Sequence, residues 1–287
     1  MGLPFIEVST IVGMELREAA YRALCETQAT DKVQAVQQLW LKRAHLWLDA
    51  LAPRQDPEHK APGRPAKPLL QNPQHVPQRS VHTDKGLAAL VHSVCHIEFN
   101  AINLALDAVW RFAGLPDAYY QDWLRVAYEE STHFELLQTL LRDMGYAYGD
   151  FAAHDGLWSM CEKTADDVLA RMALVPRTLE ARGLDATPLI QAKLLMSASP
   201  YAKAFQPILA TILRDEVGHV AIGNHWFRYL CAEQGLDPLR HYPLLVQRHA
   251  APRLKPPFNT SARLAAGFTQ EEIDWLMAQR LTETTQA

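Results

Sequence analysis

Two segments, VAYEESTHFELL and LRDEVGHVAIG, each set a glutamate and a histidine three residues apart: Glu130 with His133, and Glu216 with His219. Residues at that spacing project to the same side of an α-helix, so each pair offers one carboxylate oxygen and one imidazole nitrogen to a common point. Their neighbours at helical spacing are apolar. Trp123, Val126, Ala127, Phe134 and Leu137 surround Glu130, and Leu209, Ile212, Leu213, Val220 and Gly223 surround Glu216. A fold that buries these stripes buries the polar pairs too, and must then compensate them.

Single acids repeat the anomaly. In LVHSVCHIEFNAINLALDAV, Glu98 has Val91, Val94, Cys95, Ala101, Ile102 and Ala105 at helical spacing. In LVPRTLEARG, Glu180 shares its face with Leu169, Met172, Ala173, Pro176 and Arg177, although Glu162, Asp166 and Asp167 on the same stretch are alternatives. An isolated carboxylate in a low-dielectric core costs several kcal/mol or shifts its pKa until it is neutral. Four glutamates carry four negative charges and two divalent cations carry four positive ones, while neutral imidazoles complete the shells without adding charge. The order E, E-x-x-H, E, E-x-x-H along four helices matches the ligand pattern of ferritin-like di-iron and di-manganese carboxylate bundles. One E-x-x-H is common on a solvated helix face; two copies on apolar stripes, each accompanied by an inward acid, are not. Oxygen and imidazole donors without thiolate suit iron, manganese or a mixed pair better than a structural zinc.

The pattern along the chain is helical throughout. Leu16, Ala19, Ala20 and Leu24, then Val36, Leu39, Trp40, Ala44 and Trp47, mark an N-terminal helical segment within residues 1–51. Prolines at 53, 57, 62, 65, 68, 73 and 77 make 52–82 an extended connector along the surface of the main body. Residues 83–234 are predicted to form the four-helix bundle. Its helices are expected at 83–114, 117–144, 157–182 with a kink at Pro176 and a stop at Gly183, and 199–234 with a division at Pro207. The loop GYAYGDFAAHDG is long enough for a crossover, and LDATPLIQAKLLMSAS has room for one short extra helix. Residues 235–287 form a C-terminal helical extension in which T-Q-E-E at 269–272 reads as a capping box opening IDWLMAQRL. No alternating strand pattern of useful length occurs. The predicted class is all-α, a ferritin-like four-helix bundle with extensions at both ends.

Composition narrows the partners. The 287-residue chain has a formal charge of -4 and no apolar run read as long enough to cross a bilayer, so no membrane is expected. Its N-terminus lacks the basic start, apolar core and small-residue cleavage site of a secretion signal, and a cytoplasmic location is expected. Cys25, Cys95, Cys161 and Cys231 lie far apart without a C-x-x-C pair, which argues against a disulfide scaffold and a thiolate zinc site.

Further residues near the motifs have structural as well as functional readings. Glu129 and Asp215 stand four residues before the motif histidines and either orient the imidazoles or are exposed acids. His92, His96 and His225 fall off the inward stripe and are expected at the surface or behind the ligands. Tyr128, Trp123 and Trp226 line the site, carry electrons or are ordinary core. Cys95, one turn before Glu98, reads as inert packing. Segment 238–270 holds Arg240, Arg248, Arg253, Lys255 and Arg263 without an acid; pairing with acids of the bundle explains this more simply than RNA binding, and nucleic acid is not the expected partner.

HIEFNAINLALDAVWRF, DWLRVAYEESTHFELL, YGDFAAHDGLW, RMALVPRTLEARGLD and DEVGHVAIGNHWF together resemble the bacterial family known as domain of unknown function 455, within the ferritin-like superfamily. The resemblance runs from the N-terminal helices through PFNTSARLAAGF. It implies the ferritin-like bundle and a dinuclear site at Glu98, Glu130, His133, Glu180, Glu216 and His219, favours Glu180 over its rivals, and implies no substrate. The chemistry of such a site points to an O₂-dependent oxidoreductase, a hydroxylase or oxidase of a small organic substrate, with two metal ions and an external electron donor. The alternatives are a ferroxidase or iron-handling protein without organic substrate, an RNA-modifying hydroxylase, and a scaffold whose metal only holds the bundle. The flanking segments would obstruct packing into a storage cage, so a monomer or small homo-oligomer is expected.

Overall fold

The computed structural model describes residues 13–54, 56, 60–77 and 79–278. The extreme N-terminus and the end of the last predicted helix lie outside them. Regular structure among the described residues is helical, with isolated bridges at Glu15–Trp47 and Leu70–Ala153. The chain divides into two compact units, Met1–Trp158 and Ser159–Ala287.

The first unit contains α1 (Leu16–Cys25), α2 (Ala29–Lys42), α3 (Asp84–Arg111) and α4 (Asp117–Asp143). α3 and α4 pack along their lengths, with α1 against α3 and α2 against α4. The start of α3 is where the sequence puts it: Thr83 Oγ1 accepts the Gly86 N–H at 3.1 Å, satisfying one orphan donor of the first turn. Leu87, Val91, Cys95, Phe99, Ile102 and Leu106 then bury one stripe, each large apolar side chain contributing about 1.5–3 kcal/mol. One expectation is corrected here. α3 is long and apolar enough to cross a bilayer, but 78% of its apolar window is buried inside the fold, which accounts for its composition as that of a core helix.

Two buried cations tie this unit together. Arg17 donates to Trp110 O at the end of α3 and, at 2.9 and 2.7 Å, to Asp49 O and Ala52 O. Lys32 is fully buried and its Nζ donates to Leu24 O, Gly63 O and Asn103 Oδ1 at 2.6, 3.0 and 2.6 Å. Gly63 belongs to the proline-rich connector, and a Cβ there would lie 2.1 Å from Cys25 O, so only glycine permits the approach. The connector thus runs as an extended segment against the helices, broken by one 3₁₀ turn at Pro73–His75.

Following the division, α5 (Gly156–Lys163), α6 (Val168–Leu174), a π-helical turn (Val175–Glu180) and α7 (Ala181–Leu195) replace the single third helix expected at 157–182. The break after α5 has two causes. The Thr164 hydroxyl donates back to Met160 O at 2.7 Å, and Asp167 starts a new helix by accepting the Ala170 N–H at 2.9 Å. Pro176 opens the helix into a π turn rather than kinking it. Gly183 does not stop it either: burial of Ala181 and Leu184 in a cluster with Val220 outweighs the roughly 1 kcal/mol that a helical glycine costs. The expected short helix in 184–199 is therefore the continuation of α7. α8 (Pro200–Glu233) is undivided, because Pro207 lies on an exposed face where water reaches the carbonyl it leaves without a donor. α9 (Pro238–Arg248), α10 (Thr260–Ala265) and α11 (Gln270–Ala278) complete the second unit. The capping box forms as read: Thr269 N–H donates to Glu272 Oε2 at 2.8 Å and Glu272 N–H to Thr269 Oγ1 at 3.2 Å.

Candidate metal centre

In the first unit, Glu98 on α3 and Glu130 with His133 on α4 are all buried. His133 Nδ1 lies 3.0 Å from Glu130 Oε2 and 3.4 Å from Glu98 Oε2. One donor atom from each of the three falls within 4.8 Å of the others, a spacing that can hold a metal ion. Their electrostatics say what the pocket wants. Burial, and after it the Glu130 carboxylate, pushes Glu98 well above the usual carboxylate range. Burial alone would lower His133, yet the adjacent Glu130 and Glu98 carboxylates outweigh that and raise it to about 11. Both shifts express one preference, for positive charge beside the two acids. Protons and a divalent cation compete for the same atoms, since a ligand set binds metal with its carboxylates ionised and its imidazole neutral. Glu98 Oε2 accepts no hydrogen bond, leaving a buried lone pair that a cation would satisfy.

The second unit carries the other three predicted residues on a different support. Glu180 ends the π turn, Glu216 and His219 lie on α8, and all three are buried. His219 Nδ1 stands 3.9 Å from Glu216 Oε1. Of the alternatives to Glu180, Glu162 and Asp166 are exposed and Asp167 is spent as a helix cap. Pro176 has no N–H to donate, and two residues on, the Thr178 hydroxyl ties the turn back to α6 by donating to Ala173 O at 2.7 Å. Gly223, one turn beyond His219, lets the turn approach α8: a Cβ there would lie 2.5 Å from Pro176 Cβ.

The residues expected behind the ligands divide. Glu129 and Tyr128 are half-buried, with Tyr128 stacked on Trp40 at 5.4 Å. Asp215 chelates the neighbouring Arg214 through contacts of 2.8 and 3.1 Å. His225 is exposed and packs edge-on against buried Trp226. Trp123 is core. His92 and His96 are buried rather than superficial. His92 Nε2 accepts the Gly149 N–H at 2.9 Å, and His96 meets Tyr148 Oη at 2.9 Å through Nδ1 and Asn100 Nδ2 at 3.0 Å through Nε2. Burial lowers both imidazoles to about 4, so they are neutral partners of the 146–155 loop.

Sequence reasoning did not assign the buried cluster of Arg177, Asn224 and Glu272, described below. Arg177 had already appeared on the apolar face of Glu180, and a lone arginine there is the signal that a buried acid partner exists elsewhere.

Residues 25–274 match the profile of the family described as Protein of unknown function (DUF455). The chain belongs to this family. A relative from Haemophilus influenzae, described as an uncharacterized protein, is 51% identical over 227 residues, spanning 77% of this chain and 78% of its own. No solved structure matches. The family segment includes all six predicted ligands.

Proposed function

We propose that this DUF455 protein is a ferritin-like dinuclear metal–carboxylate oxidoreductase. In this reading Glu98, Glu130 and His133 from the first unit and Glu180, Glu216 and His219 from the second hold two iron ions, or one iron and one manganese. The observation that carries the reading is the buried Glu98–Glu130–His133 set, whose electrostatics call for a cation and whose donors are oxygen and imidazole. The repeated acid and E-x-x-H pattern on buried positions of the second unit supports a pair rather than a single ion. When bound, a ferrous pair supplies the electrons that reduce O₂ and the oxidising power to attack a C–H bond of an organic substrate.

The chain's own residues do the rest. The carboxylates would hold the ions and cancel their charge. The apolar stripes around them exclude water from the reacting region. The four cysteines are free thiols, which suits a reducing compartment.

The test is metal analysis of protein from its natural host, followed by anaerobic ferrous loading and exposure to O₂. Two equivalents of iron or manganese and an O₂-dependent near-ultraviolet band are expected, with one equivalent and the band lost in Glu130→Ala with His133→Ala. Protein that binds no transition metal under these conditions would overturn the reading.

A further inference from the structure

The second unit contains a buried ion network that metal ligation does not itself require. Arg177, on the π turn three residues before Glu180, is buried. Its Nη2 donates to Glu272 Oε1 at 2.7 Å and its Nη1 donates to Asn224 Oδ1. Rings of Phe227, Tyr242 and Phe268 enclose the guanidinium, with centroids 5.0, 5.0 and 4.7 Å away. Glu272 is itself fixed, accepting from Arg228 Nη2 at 2.9 Å and from the Thr269 N–H at 2.8 Å. Asn224, five residues after His219 on α8, donates to Ala266 O at 2.8 Å. One side chain thus joins the turn that carries Glu180, the helix that carries Glu216 and His219, and the C-terminal helix α11.

A π turn exchanges the i→i−4 bonds of an α-helix for wider i→i−5 ones, and a slip of one residue would turn Glu180 by roughly 100° about the axis. Apolar packing alone would leave that rotation poorly defined. A planar guanidinium with two directed acceptors defines it, because neither acceptor can be kept if the turn rotates.

We propose that Glu272, acting through Arg177, fixes the turn that carries Glu180 relative to the helix that carries Glu216 and His219, so that helix α11 tunes metal binding in the second unit. Glu272 and Arg177 are positioning residues in this account and touch no metal. The inference rests on the metal reading above.

Anaerobic Co(II) titration of the full chain, read by visible d–d absorption and set beside thermal unfolding of the metal-free protein, tests it. Glu272→Gln should keep both metal equivalents but weaken the second roughly tenfold, the scale on which partners behind a ligand act, and shift its bands. Arg177→Lys, which replaces the planar fork and its two separate Nη donors by a single ammonium nitrogen, should shift them the same way. Ile273→Val loosens buried packing on α11 without touching Arg177, and should lower thermal stability while leaving bands and affinity as in the wild type. If Glu272→Gln does not fold, Arg177→Lys decides. Wild-type protein that binds no Co(II) sinks the metal reading itself. Wild-type protein that binds two equivalents, with Glu272→Gln and Arg177→Lys matching it in affinity and spectrum, overturns this inference alone.

Discussion

Glu98 and Glu180 are the single acids that accompany the two E-x-x-H pairs in the sequence, yet different supports carry them. Glu98 rises from the middle of a regular 28-residue α-helix, and its partners Glu130 and His133 are 3.0 Å apart on another. Glu180 ends a π turn forced by Pro176, and its set has the looser His219–Glu216 separation of 3.9 Å. In the first unit the helix alone aims the acid. In the second, aim depends on a brace from outside the turn, on the absence of a side chain at Gly223, and on a hydroxyl at Thr178. A ligand pattern in sequence therefore specifies donors without specifying how firmly each is held.

The sharpest test of the likeness is removal. Glu130→Ala with His133→Ala, and Glu216→Ala with His219→Ala, should each abolish one of two bound equivalents, measured by metal analysis after anaerobic loading; a double variant that retains both would break the correspondence. Stability should separate the units next. Arg177→Leu leaves Glu272 Oε1 and Asn224 Oδ1 without their donor in the second unit and should cost about 3–5 kcal/mol. Lys32→Met removes the donor shared by three buried oxygens in the first and should cost about 1–3 kcal/mol. Denaturant unfolding of metal-free protein compares them, and equal losses would argue that Glu272 is satisfied without Arg177.

Opposite changes of size probe the same contrast at matching positions seven residues past each motif glutamate. Leu137→Ala should leave a cavity worth about 2–5 kcal/mol, whereas Gly223→Ala should overpack against Pro176 by about 1–3 kcal/mol. Only the latter should disturb metal at the second set. The smallest effect concerns acid. Burial would raise Glu272, but Arg177, the Thr269 N–H and Arg228 hold it below the ordinary carboxylate range. The stability this contributes is complete above the unfolded carboxylate value and is lost as pH falls through the depressed folded one. Unfolding midpoints of the wild type should thus decline along that limb, and Glu272→Gln should flatten the slope.

Much of this was legible beforehand, for identifiable reasons. α3 and α4 appear where capping residues and unbroken stripes put them, and the inward acids were conspicuous because their neighbours are apolar. The third predicted helix failed because its punctuation is tertiary. Pro176 widens the turn only because Thr178 and Gly223 accommodate it, and Gly183 continues only because Ala181 and Leu184 are buried with Val220. For His92 and His96 the sequence leaves surface and interior both open, since the loop that covers them is distant in sequence. Lys32 gave a clue that composition hides: Ala29, Val36 and Leu39 share its stripe, and a lysine on such a stripe needs acceptors inside.

The ammonium of Lys32 also bears on how this polypeptide can be cut. Its acceptors come from residues 24, 63 and 103, so a fragment starting at residue 83 would retain Asn103 but lose the cation that occupies it. The proline-rich stretch looks dispensable by composition and is instead an internal strut. Fusion partners, tags and permuted ends belong elsewhere on the chain.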